Sequence, residues 1–158
     1  MVATGSPSSA PLTDRAGFLI SQLGFHAAAR FAERLAPLGL QPRHFGLLTH
    51  LAAADGQTQQ HLADALGIHR NLMVGLIDDL EDRGLVQRRR HPGDRRAHAV
   101  HLTRKARALL ARAQRTADEH DAELLAALYE PDRARFVGML QRIARHTGVA
   151  AGVHPGIR

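Results

Sequence analysis

Apolar residues recur along this chain at intervals of three and four, the spacing that lines one face of an α-helix, in successive stretches separated by Pro and Gly. The first stretch holds Phe18, Leu19, Leu23, Ala27, Phe31 and Leu35, with Thr13 or Asp14 as the capping residue at its start. Pro37, Gly39 and Pro42 interrupt the pattern. A second helix then runs from about Pro42 to Ala54, turns Phe45, Leu48 and Leu51 inward, and is closed by Asp55-Gly56. A short helix begins at Thr58 with Leu62 and Leu66 one turn apart, and Gly67 follows as a residue able to take positive φ in a tight turn. The next helix, about His69 to Arg83, carries Leu72, Leu76 and Leu80 on one stripe with Met73 and Ile77 beside it.

Gly84 ends that helix, and the pattern changes. Leu85 to Arg88 and Ala97 to Leu102 have strand composition on either side of the turn signal Pro92-Gly93-Asp94, which predicts a two-stranded hairpin. Thr103 then caps a long alanine- and leucine-rich helix reaching Leu128, with Leu109, Leu110, Ala113, Ala117, Leu124 and Leu128 as apolar positions. Pro131 starts a final helix whose Phe136, Val137, Leu140 and Ile143 form its buried face before Gly148. The expected fold is mainly α, six helices and one β-hairpin. Its middle, helix, tight turn, helix and hairpin, is the plan of a winged helix-turn-helix, which points to DNA.

Charge sharpens that reading. Between Arg83 and Arg107 nine Arg and Lys stand against the single Asp94, a local +8, so the rest of the chain sums to −2 and this one segment accounts for the formal +6 of the whole. A charge run is usually a solvated face, but this one follows a helix-turn-helix and sits on a hairpin. The fourth helix is acidic at its C-terminal end (Asp78, Asp79, Glu81, Asp82), which phosphates would repel, so its N-terminal half is the end that enters a groove. His69, Arg70, Asn71 and Gly75 are therefore the candidates for base contact, and Arg89, Arg90, Arg95 and Arg96 for contact from the hairpin. Arg pairs with guanine and Asn with adenine, while either residue could equally hold a phosphate.

Length and composition set the outer limits. At 158 residues with 44% apolar content the chain is one domain with a sizeable core, expected over 13–148, between a Ser/Pro/Ala/Gly-rich disordered tail at 1–12 and a second tail at 149–158. No room is left for a second catalytic domain. With no apolar run of transmembrane length and no signal-peptide pattern at Met1 to Pro11, the expected location is the cytoplasm, with no membrane partner. Zero cysteines excludes disulfides, thiolate zinc sites and thiol redox sensing. The eleven histidines suggest no metal site, because His98 and His101, three apart on a strand, face opposite sides and no His-x-x-x-His pair occurs. Nor is there a nucleophile elbow or Gly-rich phosphate loop, so no catalytic residue is expected and an enzyme is the reading disfavoured.

The ordered set Gly39-Leu40, Gln60-His61-Leu62-Ala63, Leu80-Glu81-Asp82-Arg83-Gly84-Leu85-Val86, Arg88-Arg89, Asp94-Arg95-Arg96 and Leu102-Thr103 resembles the MarR family of transcriptional regulators, over roughly Phe18 to Gly148. That resemblance implies a homodimer, with a winged core at about 42–102 and dimerisation helices at about 13–37 and 103–148, that binds palindromic double-stranded DNA as a repressor. It further implies that Asp94 and Arg96 form a pair stabilising the wing and that Arg95 enters the minor groove. A small-molecule effector, an aromatic carboxylate or a phenol, is implied in a cleft bordered by Phe25, His26, His44 and Phe45, residues for which ordinary packing is the alternative role. The chain departs from the family pattern at Val74, Gly75 and Asp79, where hydroxyl and arginine residues are common, so fewer base contacts are expected. Two rival classes remain open: a nonspecific or architectural nucleic-acid binder, and a protein-docking module, against which the arginine-rich hairpin argues.

Overall fold

The computed structural model describes residues 10–91, 93–149 and 152, with the side chains of 91 and 94–96 excepted. Of the expected tails, residues 1–9, 150–151 and 153–158 lie outside that range. Neither Thr13 nor Asp14 caps the first helix. Leu12–Asp14 instead closes a 3-10 turn, with the Asp14 N–H on Pro11 O and the Arg15 N–H on Leu12 O, and α1 (Ala16–Leu35) starts after Arg15. A second 3-10 turn (Ala36–Leu38) leads through left-handed Gly39 to α2 (Pro42–Ala53), then β1 (Gln57–Thr58), α3 (Gln59–Leu66) and α4 (Arg70–Asp82). The hairpin follows as β2 (Val86–His91) and β3 (Asp94–Leu102), longer on both arms than composition suggested, and the chain ends in α5 (Arg104–Leu124) and α6 (Glu130–His146).

The expected six helices and hairpin are present, and the sheet has one strand more. β1 pairs antiparallel with β3, so the strand order is β1-β3-β2. Two residues give no readable alternation. What makes β1 is its neighbour: Gly56 takes φ +79°, its N–H reaches Val100 O at 3.0 Å, and Gln57 falls into register with Val100. Asp55 anchors the same corner by accepting from the Leu102 N–H at 2.8 Å, from Arg107 at 3.2 Å, and lying 3.2 Å from His101 Nδ1. The root of the hairpin, the end of α2 and the start of α5 thus share one carboxylate.

A single apolar cluster joins Leu47, Leu48 and Leu51 of α2, Leu62 and Leu66 of α3, Met73, Ile77 and Leu80 of α4, Val86 and Val100 of the sheet, and Ala106, Leu110 and Ala113 of α5. Here the helical stripes behave as their spacing predicts. The outer helices do not. Of the apolar positions of α1 only Leu35 is buried, and the expected buried face of α6 is half-buried at Phe136 and exposed at Val137, Leu140 and Ile143. Spacing identifies an apolar face without saying whether the same chain covers it. Leu124, expected to be apolar-facing on the long helix, is likewise exposed, and that helix ends at Leu124 rather than Leu128.

Adding a side chain at Gly56 would place Cβ 2.8 Å from His101 Cε1 and force a non-glycine residue to positive φ. Gly56→Ala is expected to destabilise the protein by about 1–3 kcal/mol in denaturant unfolding. The double variant Gly56→Ala/His101→Ala should recover only the part owed to the clash.

Candidate nucleic-acid interface

The helix-turn-helix is built by caps at each end. Thr58 Oγ1 accepts from the His61 N–H at 3.2 Å to start α3, and Gly67 (φ +62°) ends it, with the Ile68 N–H returned to Ala63 O at 2.9 Å. Ile68 is buried and pins the turn to the core. α4 then opens on His69, whose ring Nδ1 accepts from the Asn71 N–H at 3.3 Å. Burial of Met73, Leu76, Ile77 and Leu80 sets the roll of the helix, and the stripe left outward includes Arg70, Asn71, Val74, Gly75, Asp78 and Asp82, with Asp79 exposed at its edge. Arg70, Asn71 and Gly75 therefore share one exposed face, whereas the His69 ring is engaged as the cap. A Cβ at Gly75 would meet nothing within 4 Å, so packing does not require glycine there.

On the hairpin Arg89 and Arg90 are exposed and, as neighbours on a strand, point to opposite faces. Asp94, Arg95 and Arg96 open β3, with Asp94 in register with His91, while their side chains lie outside the described residues, as does the expected Asp94–Arg96 pair.

The cationic segment is less free than its count implies. Arg83 donates to Gly39 O at 2.7 Å and to Asp79 at 3.3 Å, Arg107 is on Asp55, and Lys105 donates to Arg83 O at 2.7 Å. Arg88 turns inward onto the acidic end of α4, donating to Asp78 and Glu81. That end of the helix is thus internally paired at Asp78, Asp79 and Glu81, which the linear sequence shows only as repulsive charge. The backbone N–H of Arg88, and then its guanidinium, hold the Glu81 carboxyl below the usual range. Burial opposes the charged form of Arg88, but hydrogen bonds to Asp78 and Glu81 outweigh it and its pKa is raised.

The four residues considered for an effector cleft do not converge. Phe25 and His26 are exposed on α1, with Phe25 82% accessible. Phe45 faces a cavity of about 410 Å³ between α1, α2 and α5, floored by Gly24, Ala27 and Ala28 and walled by Phe31 and His120, with Asp121 beside them. Phe31 meets Phe45 edge-on at 5.3 Å and stacks on His120 at 5.5 Å. The sequence pattern marks Phe31 only as a core position and carries no signal for His120. His44 faces the other way, into a smaller cleft of about 310 Å³ against Leu72, Gly75 and Asp79 of α4. Its Nδ1 accepts from the Gln41 N–H at 3.1 Å and its Nε2 lies 3.3 Å from Asp79. Burial lowers the His44 pKa, Asp79 works against that, and Arg83 and Arg43 add to it.

Among the described residues no group of three or more histidine and carboxylate side chains gathers as a metal would require, and no helix is long and apolar enough to cross a membrane.

Comparison with known proteins places this geometry among regulators. The MarR family profile matches residues 38–97, from the end of the second 3-10 turn into β3. A proposed transcriptional regulatory protein for the hcr operon of Thauera aromatica is 30% identical over 150 residues, covering 89% of this chain and 90% of that one. The transcriptional repressor CouR bound to a 23-mer DNA duplex is 35% identical, with 89% and 99% of the two chains covered and a TM-score of 0.76. CouR from Rhodococcus jostii RHA1 bound to p-coumaroyl-CoA is 31% identical, with 86% and 96% covered and a TM-score of 0.72.

The lowered His44 pKa has a definite sign. In the unfolded chain His44 takes up a proton near its ordinary 6.5, while the folded state resists it, so its contribution to stability is complete above that pH and is lost as pH falls below it. Thermal unfolding of the parent is expected to drop between about pH 7.5 and about pH 5.5. His44→Asn, which keeps an acceptor for Gln41, should show a shallower drop. Equal slopes would mean that His44 titrates alike in both states.

Proposed function

The chain belongs to the MarR family, and on that premise we propose that it is a homodimeric repressor whose two winged lobes read a palindromic duplex and release it when a small aromatic effector enters the α1–α2–α5 cavity. The observation that carries this reading is the exposed stripe of α4, with Arg70 and Asn71 at its N-terminal end, set beside a hairpin bearing exposed Arg89 and Arg90. Membership of a family of sequence-specific regulators favours this over the architectural alternative, and such regulators act by binding rather than by catalysis.

MarR family proteins are dimers. In the proposed arrangement residues 13–37 and 103–148 form the dimer helices and 42–102 the winged core. Support comes from the unburied apolar faces of α1, with Phe18, Leu19 and Leu23, and of α6, with Val137, Leu140 and Ile143. Two α4 helices set roughly 34 Å apart would enter successive major grooves of an inverted repeat. Arg95, carried by the strand that opens the second arm of the hairpin, is assigned to the minor groove, where a narrow A·T tract concentrates negative potential.

The effector reading is narrowed by the cavity. Phe31, Phe45 and the His120 ring suit a planar aromatic group, and Asp121 disfavours a carboxylate while accepting from a phenol. The complex of CouR with p-coumaroyl-CoA supports an effector with such a ring. Release of DNA requires that the effector bind the two conformations with different free energy.

Selection from a random duplex library at near-physiological salt is expected to enrich an inverted repeat with half-site centres about 10 base pairs apart, and binding without enrichment would favour the architectural class. On that site Arg95→Ala should weaken binding and flatten its salt dependence by close to one unit of slope. In calorimetric titration with p-coumaroyl-CoA, Phe45→Ala and His120→Ala are expected to lose about tenfold or more in affinity while Phe25→Ala and His26→Ala keep the parent value. The reverse ranking would move the effector to the exposed face of α1.

A further inference from the structure

The acidic end of α4 and the first arm of the hairpin meet in one contact built from both. Asp78 and Glu81 are three residues apart, so a single turn presents both carboxylates on one side. The chain reverses at Gly84 and brings back Arg88, the third residue of β2. Its backbone N–H donates to Glu81 Oε1 at 2.8 Å, Nη1 donates to Glu81 Oε2, and Nη2 donates to Asp78 Oδ1. The arginine side chain is 21% exposed, well below the 54% of Asp78, so the guanidinium is the enclosed member and the acids form its socket. A planar fork held by two carboxylates of one helical turn, with its own backbone tied to one of them, leaves little freedom in either distance or twist.

Asp78 also lies on the outward stripe of α4 with Arg70, Asn71 and Gly75. A carboxylate in that position would ordinarily weaken binding to a polyanion, since its repulsion reaches across a Debye length of about 8 Å. We infer that Arg88 is a positioning residue which, with Asp78 and Glu81, locks the hairpin to the recognition helix at one angle, so that these two acids promote operator binding instead of opposing it. The inference rests on the duplex-binding reading above. Its physical basis is preorganisation: helix face and hairpin cations reach one duplex in a single register without ordering the hairpin at the moment of binding.

The test uses the full chain, the selected inverted repeat and an unrelated duplex of equal length, over a range of salt. Glu81→Gln and Asp78→Asn are each expected to weaken operator binding by roughly tenfold despite removing a negative charge, with the unrelated duplex bound as before or more tightly. Arg88→Ala should weaken operator binding at an unchanged salt slope, and Arg88→Ala/Glu81→Gln should be no worse than Arg88→Ala alone. Tighter operator binding by either acid variant overturns the inference. So does an Arg88→Ala slope reduced by about one unit, which would make Arg88 a phosphate contact. Should Arg88→Ala not fold, the near-isosteric acid variants decide the matter. Hydrogen exchange separates this from the function itself: with no DNA present, Glu81→Gln should speed exchange at the amides of β2, and unchanged exchange would overturn the lock even if the operator is found. If no duplex is bound, the duplex reading fails and exchange alone judges the lock.

Discussion

The roll of α4 about its own axis is the constraint on which the rest of the molecule turns. Four apolar side chains, Met73, Leu76, Ile77 and Leu80, are driven into the core, and because they occupy one face they decide which residues are left outside. A helix rolled by one residue would bury Val74 and turn Arg70 and Asn71 aside. Everything around α4 holds that setting: Gly67 and Ile68 fix where it begins, Leu85 and the Gly84 turn fix where it stops, and α3 and β2 pack against it over a shared apolar cluster. Recognition chemistry is thus a by-product of core packing, exposed by what the core excludes.

Electrostatics then works in two layers. The inner layer is neutralised within the fold, with Asp55 serving Leu102, His101 and Arg107, and Asp79 placed between His44 and Arg83. Apart from Asp79–Arg83, one helical turn apart, these pairs join parts of the chain far apart in sequence. The outer layer, with Arg70, Arg89 and Arg90 exposed, faces solvent and is available to a polyanion. Counting charges along the chain merges the two layers, which is why the arginine-rich segment looks more uniformly cationic in sequence than it is in space.

Much of the architecture was legible from spacing. Helices α2, α3 and α4 and the hairpin sit where periodicity and turn residues put them, because local patterns report local structure. β1 was invisible, since two residues carry no alternation and the strand exists only through its pairing with β3. The faces of α1 and α6 were legible as apolar but not as unburied, because a pattern says nothing about whose surface covers it. Site residues divide in the same way. The acidity of the C-terminal end of α4 singles out its N-terminal half, and the phase of the buried stripe leaves Arg70, Asn71 and Gly75 exposed there. The inward turn of Arg88 needed knowledge of a contact across the Gly84 reversal, and only the i, i+3 spacing of Asp78 and Glu81 hinted at its socket. Among the aromatic and histidine candidates, neighbouring aromatic-histidine pairs in sequence do not gather in space: α1 turns Phe25 to solvent and α2 turns Phe45 inward, towards Phe31.

Consecutive residues of α2 look in different directions. His44 reaches Asp79 on the recognition helix, and Phe45 forms a wall of the cavity with Phe31 and His120. A helix turns about 100° per residue, so these neighbours address two separate compartments from one rigid rod. A displacement of α2 as a rigid body would alter the cavity wall at Phe45 and the His44–Asp79 contact together. The cavity wall and the contact with α4 are thus one peptide unit apart.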